Sequence, residues 1–206
     1  MTYRHFFWDF DGTLFDTYPA IVAAFQAALQ EFGIKGDPDE IYKLMMTTIT
    51  YAVDAYSERY GLGPAFKRRF RQLERPFEQA MAAPYPSLRA VCREIAGRGG
   101  KNYLYTHRDT EAILYLKRYG VDMYFADYVT SEDHFPAKPA PDALLALMAR
   151  NGVSPKDAVM IGDRSIDILA GKNAGMAGCY FDPQHIKLVT EGDFTVHALT
   201  ELVDYL

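Results

Sequence analysis

The stretch "FFWDFDGTLFD", residues 6–16, decides the fold. A greasy run ends there on two carboxylates one residue apart, Asp9 and Asp11, followed by Gly12 and Thr13. Phe6, Phe7 and Trp8 do not alternate with polar residues, the pattern of a strand buried on both faces. Gly12 then lets the chain turn sharply and expose backbone amides. Taken alone, the Asp-x-Asp reads as turn chemistry with an aspartate cap. A calcium loop does not fit, because counting Asp9 as its first position puts Leu14 where glycine is required and Ala20 where the bidentate glutamate belongs.

Working outward, the same kind of segment recurs. His5 to Trp8, Tyr103 to Tyr105, Asp127 to Val129, Ala158 to Ile161 and Gly178 to Phe181 read as strands, most followed by a helical pattern. In "SLRAVCREIAG", Leu88, Val91, Cys92 and Ile95 share one stripe behind Ser87 as N-cap; "DTEAILYLKRYG" closes on Gly120 as a C-cap glycine. "APDALLALMARNG" and "SIDILAGKNAG" repeat the arrangement. Alternation at this spacing predicts an α/β fold, an open parallel sheet with right-handed crossovers, whose ligands sit beyond the C-terminal strand ends.

One segment breaks the rhythm. From Thr17 to Pro84 only helical patterns appear, beginning with "PAIVAAFQAALQEFG", whose Ile21, Val22, Phe25, Leu29 and Phe32 fall on one face. Asp37 and Glu40 have capping-box spacing around Pro38, and two more helices follow, bounded by "GLGP" and by Pro76. The expectation is a small all-helical domain over residues 17–84, inserted after the first strand of a core that spans 1–16 and 85–206, with "AAPYPS" as the return hinge.

Whole-chain figures bound the chemistry. Of 206 residues, 49% are hydrophobic, enough for a real core. With 22 basic against 27 acidic residues, nothing recommends nucleic acid or an anionic membrane as partner, so an anionic substrate needs local cations or a metal. Cys92 and Cys179 each lie in an apolar run and form no CxxC pair, as expected of reduced, buried thiols in a cytoplasmic protein. No apolar stretch approaches the ~20 residues of a membrane span.

Other strand ends carry reactive side chains: Thr106 in "LYTHRD", Lys138 in "AKPAPD", and Asp163 and Asp167 in "MIGDRSID". Singly each has an ordinary explanation, as helix cap, solvated cation, turn residue or first-turn acid. Together they bring carboxylates, a hydroxyl and an ammonium to one sheet edge, which is what a divalent metal and a phosphate require.

The ordered set "DFDGT", a strand-ending threonine, "KPAPD" and "GDRSID" resembles the four motifs of the haloacid dehalogenase (HAD) superfamily over nearly the whole chain. Its phosphoglycolate phosphatase and β-phosphoglucomutase-like branch is the nearest in layout, and helices between the first two motifs resemble that family's C1 cap. The resemblance implies a Rossmann-like core with a helical cap, and a Mg²⁺-dependent phosphatase acting on a small phosphorylated metabolite as monomer or homodimer. Asp9 would be the nucleophile that becomes an aspartyl-phosphate, and Asp11 the general acid and then base. Mg²⁺ would be held by the Asp9 side chain, the Asp11 carbonyl and Asp163, with Asp167 ligating or orienting. Gly12, Thr106 and Lys138 would meet the phosphoryl oxygens, Lys138 also holding the Asp9 pKa low. The second aspartate favours phosphoryl transfer over carbon–halogen cleavage.

Two positions depart from the family pattern. His107 stands where asparagine is common; it is either a loop residue lending its backbone amide or, with Arg108, a substrate contact. Arg164, between the acids of the fourth motif, reads as a surface or structural residue. In the helical insertion, Thr47 and Thr48 are candidate substrate contacts, and Lys67, Arg68, Arg69 and Arg71 are either an anion site or a solvated helix face. Two alternatives accompany the phosphatase: a phosphomutase, and a receiver or binding module that stores an aspartyl-phosphate without turnover.

Overall fold

The computed structural model describes residues 2–206. The chain divides into two compact units: Asp16–Ala83, and the remainder on either side of it. The larger unit is built on six parallel strands in the order β5-β4-β1-β6-β7-β8: β1 (His5–Trp8), β4 (Lys101–Tyr105), β5 (Phe125–Val129), β6 (Ala158–Gly162), β7 (Ala177–Phe181) and β8 (Phe194–Val196). Two short segments, β2 (Phe15–Asp16) and β3 (Ala83–Pro84), form a second sheet where the chain passes from one unit to the other. From β1 the order runs out to β4 and β5 on one side and then to β6, β7 and β8 on the other, so β1 marks the switch point where open α/β sheets bind ligands.

Register turns that topology into a site. Trp8, the last residue of β1, lies opposite Leu104 on one side and Ile161 on the other, so β4 and β6 end one residue beyond it. Asp9, Thr106 and Asp163 are therefore the first residues off three adjacent strands. The crossover helices are α5 (Leu88–Gly97), α6 (Glu111–Arg118), α7 (Asp142–Asn151) and α8 (Ser165–Asn173). α5 buries the stripe read from the sequence, Leu88, Val91, Cys92 and Ile95. Ser87 does occupy its N-cap position, but with a left-handed backbone (φ 67°) and no side-chain cap bond. Gly120 is left-handed just past the end of α6, where the Val121 N–H returns to the Leu116 carbonyl.

β1 is buried through Phe6, Phe7 and Trp8, with Phe7 stacked on Tyr103 at a centroid distance of 4.5 Å. The Trp8 indole N–H donates to Asn102 Oδ1 (2.9 Å), while Asn102 Nδ2 donates to the Cys92 (3.2 Å) and Tyr124 (3.1 Å) carbonyls. Asn102 thus ties a strand, a helix and a loop together with no exposure to solvent. Asn102→Leu should cost about 3 kcal/mol, because it orphans a buried donor and two acceptors at once. Denaturant unfolding checks this, and a loss below about 0.5 kcal/mol, within the range of an ordinary surface change, would refute it.

The Asp16–Ala83 unit consists of α1 (Tyr18–Glu31), α2 (Pro38–Met45), α3 (Ile49–Tyr60) and α4 (Pro64–Met81). Phe25 sits at its centre, edge-to-face with Tyr56, Phe66 and Phe70 at 5.0–5.2 Å. Asp37 caps α2 through the Asp39 and Glu40 N–H groups, but the Glu40 carboxylate accepts from Tyr56 and pairs with Arg59, so it is committed to α3. Two expectations fail here. Pro76 does not bound a helix; it lies inside α4, which is anchored upstream by the buried Phe66 and Phe70 and runs on to Met81. Phe32 is beyond the end of α1 and 39% exposed, at the rim of the expected face, where its ring packs edge-on against the buried Phe66 (5.9 Å).

Cys92 and Cys179 are both buried and unbridged. Among the described residues no helix is long and apolar enough to cross a membrane.

Candidate active site

The loop after β1 is wound on one acceptor: the N–H groups of Leu14 and Phe15 converge on the Phe10 carbonyl at 3.0 Å each. This winding needs a left-handed residue, supplied by Gly12 at φ 70°, whose own N–H donates to the Phe15 carbonyl (2.8 Å) within the turn. Asp9 is thereby fixed at the strand end, 2% exposed, its N–H on the Ile161 carbonyl.

Lys138 reaches the same point from the loop before α7. Its ammonium is 1% exposed and donates to Asp9 Oδ1 (2.5 Å) and Asp167 Oδ1 (2.8 Å), with the Tyr105 ring 4.6 Å from its nitrogen. Asp167, in the first turn of α8, uses its second oxygen to accept the Arg164 N–H (3.1 Å). That carboxylate packs hard against the end of β6: a Cβ at Gly162 would stand 2.2 Å from Asp167 Cβ, so only glycine admits it. Asp163 follows Gly162 and is 4% exposed. Asp9, Asp163 and Asp167 each offer an oxygen within 4.8 Å of the others.

Charges in this cluster compete. Burial and then Asp167 push the Asp9 carboxyl up to about 6, against the pull of Lys138 and Arg164. Lys138 does pull the Asp9 carboxyl down, as expected, but burial outweighs it and the net shift is upward. Asp167 goes the other way: burial opposes its charge, yet Lys138 and Arg164 leave it below the usual carboxylate range. Burial likewise works against the Lys138 charge, but Asp167 and Asp9 raise it above an ordinary lysine.

A divalent cation suits this donor set. Asp9 Oδ2 is buried and accepts no hydrogen bond, an orphaned anionic oxygen facing two further acids. Carboxylate donors without a histidine or cysteine among them are the ligands of a hard ion such as Mg²⁺. Asp9 and Asp163 are the better holders; Asp167 already has both oxygens engaged and orients.

Thr106 is 1% exposed, and its hydroxyl accepts the Arg108 N–H (3.1 Å), leaving its own proton to donate. Arg108 grips Asp11: its Nε lies 2.9 Å from each carboxylate oxygen and its Nη2 2.8 Å from Oδ1, while the guanidinium covers the Phe10 ring. His107 Nε2 accepts the Lys138 backbone N–H (2.9 Å), so the imidazole is neutral and orients the lysine loop. Lost hydration, then Lys138 and Arg164, lower its pKa to about 4. Arg164, at the N-cap of α8, is not a surface residue: its side chain is 12% exposed and faces the three acids.

A pH dependence follows from His107. Its folded pKa lies below the unfolded value of about 6.5, so its contribution is fully present above that value and fades as pH falls toward 4, where only the unfolded chain takes the proton. Melting temperature of the parent should fall relative to His107→Gln between pH 6.5 and 4. Parallel profiles would show that the ring is not held neutral.

The remaining candidates, Thr47 and Thr48 among them, belong to the helical unit, where Thr48 Oγ1 caps α3 through the Tyr51 N–H (2.9 Å). Of the basic run, Lys67, Arg68 and Arg71 are exposed and Arg69 pairs bidentately with Glu31, the arrangement of a solvated face.

A buried acid cluster with a bridging lysine, set at the carboxyl edge of a parallel sheet, defines an α/β enzyme site. Residues 6–180 match the haloacid dehalogenase-like hydrolases, and the chain belongs to that family. It is 28% identical over 212 aligned residues to a phosphoglycolate phosphatase of Vibrio vulnificus, covering 95% of this chain and 92% of that protein. A pyrophosphatase PpaX of Listeria innocua is 26% identical, again with 95% and 92% covered. Among solved structures, a HAD family hydrolase from Deinococcus radiodurans with bound phosphate and sodium superposes with a TM-score of 0.81 at 18% identity, over 97% of this chain and 93% of that one.

Proposed function

We propose that the protein is a Mg²⁺-dependent phosphatase that hydrolyses a small phosphomonoester, of the phosphoglycolate class, through an aspartyl-phosphate on Asp9. The observation that carries this is the buried meeting of Asp9, Asp163 and Asp167 with Lys138 at one strand-end edge. Mg²⁺ held by Asp9, Asp163 and the Asp11 carbonyl supplies positive charge against the transferring phosphoryl group. Lys138 and the Thr106 hydroxyl receive the phosphoryl oxygens as charge develops on them.

In the first step an Asp9 oxygen forms a bond to phosphorus as the ester oxygen leaves, and Asp11 gives that oxygen its proton. In the second, Asp11 takes a proton from water, whose oxygen bonds to phosphorus as the Asp9–phosphorus bond breaks and phosphate departs. Asp11 begins ionised in the grip of Arg108, and an anionic substrate that draws the guanidinium to itself lets the carboxyl take from solvent the proton it then gives to the leaving oxygen. The helical unit Asp16–Ala83 acts as the cap that selects the leaving group. The setting is cytoplasmic, in keeping with two unbridged thiols.

The test is phosphate release from phosphoglycolate, sugar phosphates, a nitrophenyl ester and pyrophosphate, with Mg²⁺ or with EDTA. Metal-dependent release from a monoester is expected. Release from no substrate in Mg²⁺ would overturn the assignment, and a preference for pyrophosphate over every ester would replace the monoester with an anhydride.

A further inference from the structure

The acids of the site present two faces. Lys138 takes one, hydrogen-bonded to Asp9 Oδ1 and Asp167 Oδ1. Arg164 takes the other: Nη2 lies 3.7 Å from Asp9 Oδ2, and Nε lies 3.8 Å from Asp163 Oδ1 and 3.9 Å from Asp167 Oδ2. These are the same three acids that offer oxygens to a cation. All three separations exceed hydrogen-bond range, so toward these acids the guanidinium acts through its charge.

We propose that Arg164 is a resident counter-cation, occupying the metal-facing side of Asp9, Asp163 and Asp167 until a divalent ion displaces it. Three buried carboxylates with Lys138 alone would carry a large uncompensated charge, and the guanidinium offsets part of it. A divalent ion on that face repels the guanidinium, and with twice the charge beside the same oxygens it takes the position. Arg164 has somewhere to go: its side chain is 12% exposed, whereas that of Lys138 is 1% exposed and tied on both sides. The arginine therefore stabilises the metal-free protein and weakens its affinity for metal, so that site loading responds to the free ion concentration.

The proposal rests on the metal-holding part of the function proposed above, and a binding experiment separates the two. Mn²⁺ is titrated into the whole chain by calorimetry or by paramagnetic resonance of the free ion, for the parent, Arg164→Ala and Arg164→Lys. Arg164→Ala should bind Mn²⁺ about ten-fold tighter or better, as removal of one unit charge at this range implies, with Arg164→Lys in between. In EDTA, Arg164→Ala should also melt below the parent, and the deficit should close when Mn²⁺ saturates the site. Unchanged or weaker binding by Arg164→Ala would overturn the counter-cation role while leaving the metal site standing. If that variant does not fold, Arg164→Gln decides by the same criterion. Absence of Mn²⁺ binding in parent and variants alike would remove the metal reading and the proposal together.

Discussion

Asp9→Asn should abolish phosphate release, by about 10⁴-fold or more, and leave the fold intact. The two halves of that expectation have separate origins. An amide oxygen is a far poorer nucleophile toward phosphorus than a carboxylate, and no neighbouring acid can replace it: Asp167 is tied to Lys138 and the Arg164 N–H, and Asp11 is occupied in passing the proton to the leaving oxygen. Stability should change little, because asparagine keeps an oxygen for the Lys138 ammonium while ending the repulsion from Asp167 that helps raise Asp9. Circular dichroism and thermal melting establish that the variant is folded, and a phosphate assay reads the loss. Turnover above about one per cent of the parent in a folded Asp9→Asn protein would show that another group attacks phosphorus.

The parallel sheet was legible because its central strands are buried on both faces and announce themselves as unalternating apolar runs. β1 was placed at its observed limits; β4 begins two residues earlier than expected because Lys101–Asn102 break the apolar run, and β5 begins two residues earlier at Phe125–Ala126, which Asp127 separates from the rest of the run. β8 escaped notice: three residues, "FTV", embedded in polar sequence give no periodicity to read, and only pairing with β7 makes them a strand. Pro76 misled because its penalty is local, confined to one lost donor and one crowded carbonyl, while the helix is held by distant aromatic contacts. The acids and Lys138 could be read as a set because each ends or follows a strand. What remained hidden was which side chain answers which. Nothing in "THRD" says that His107 accepts from the Lys138 backbone thirty-one residues away, or that Arg108 closes on Asp11 across the sheet edge. For Arg164 a signal existed: it directly follows Asp163 and stands three residues before Asp167, and that spacing at a helix start brings a side chain and its i+3 partner together.

Lys138→Met should be the most damaging single change to stability in the site. Its ammonium is hydrogen-bonded to two of the buried acids, at 2.5 Å to Asp9 and 2.8 Å to Asp167, with 1% of the side chain exposed. Methionine fills a similar volume, so packing loss is small and the cost is electrostatic: two carboxylates left facing each other in a dry setting. Breaking a buried pair by removing one partner costs about 3–5 kcal/mol, which in a chain of this size lowers the melting temperature by roughly 10 °C. Two dependences separate this cause from simple misfolding. Acid should narrow the deficit, since protonating Asp9 removes the uncompensated charge, and Asp9, already raised to about 6, takes a proton readily. Mg²⁺ should narrow it as well, because a divalent ion between Asp9 and Asp163 restores positive charge beside the same oxygens. Melting curves of parent and Lys138→Met in EDTA and in Mg²⁺, each at pH 5 and pH 7.5, test both together. A deficit that is equal in all four conditions would mean that Lys138 contributes by packing and that its charge does not hold the acids in place. Phosphate release should be lost in every condition, since neither acid nor metal returns the ammonium that the phosphoryl oxygens need.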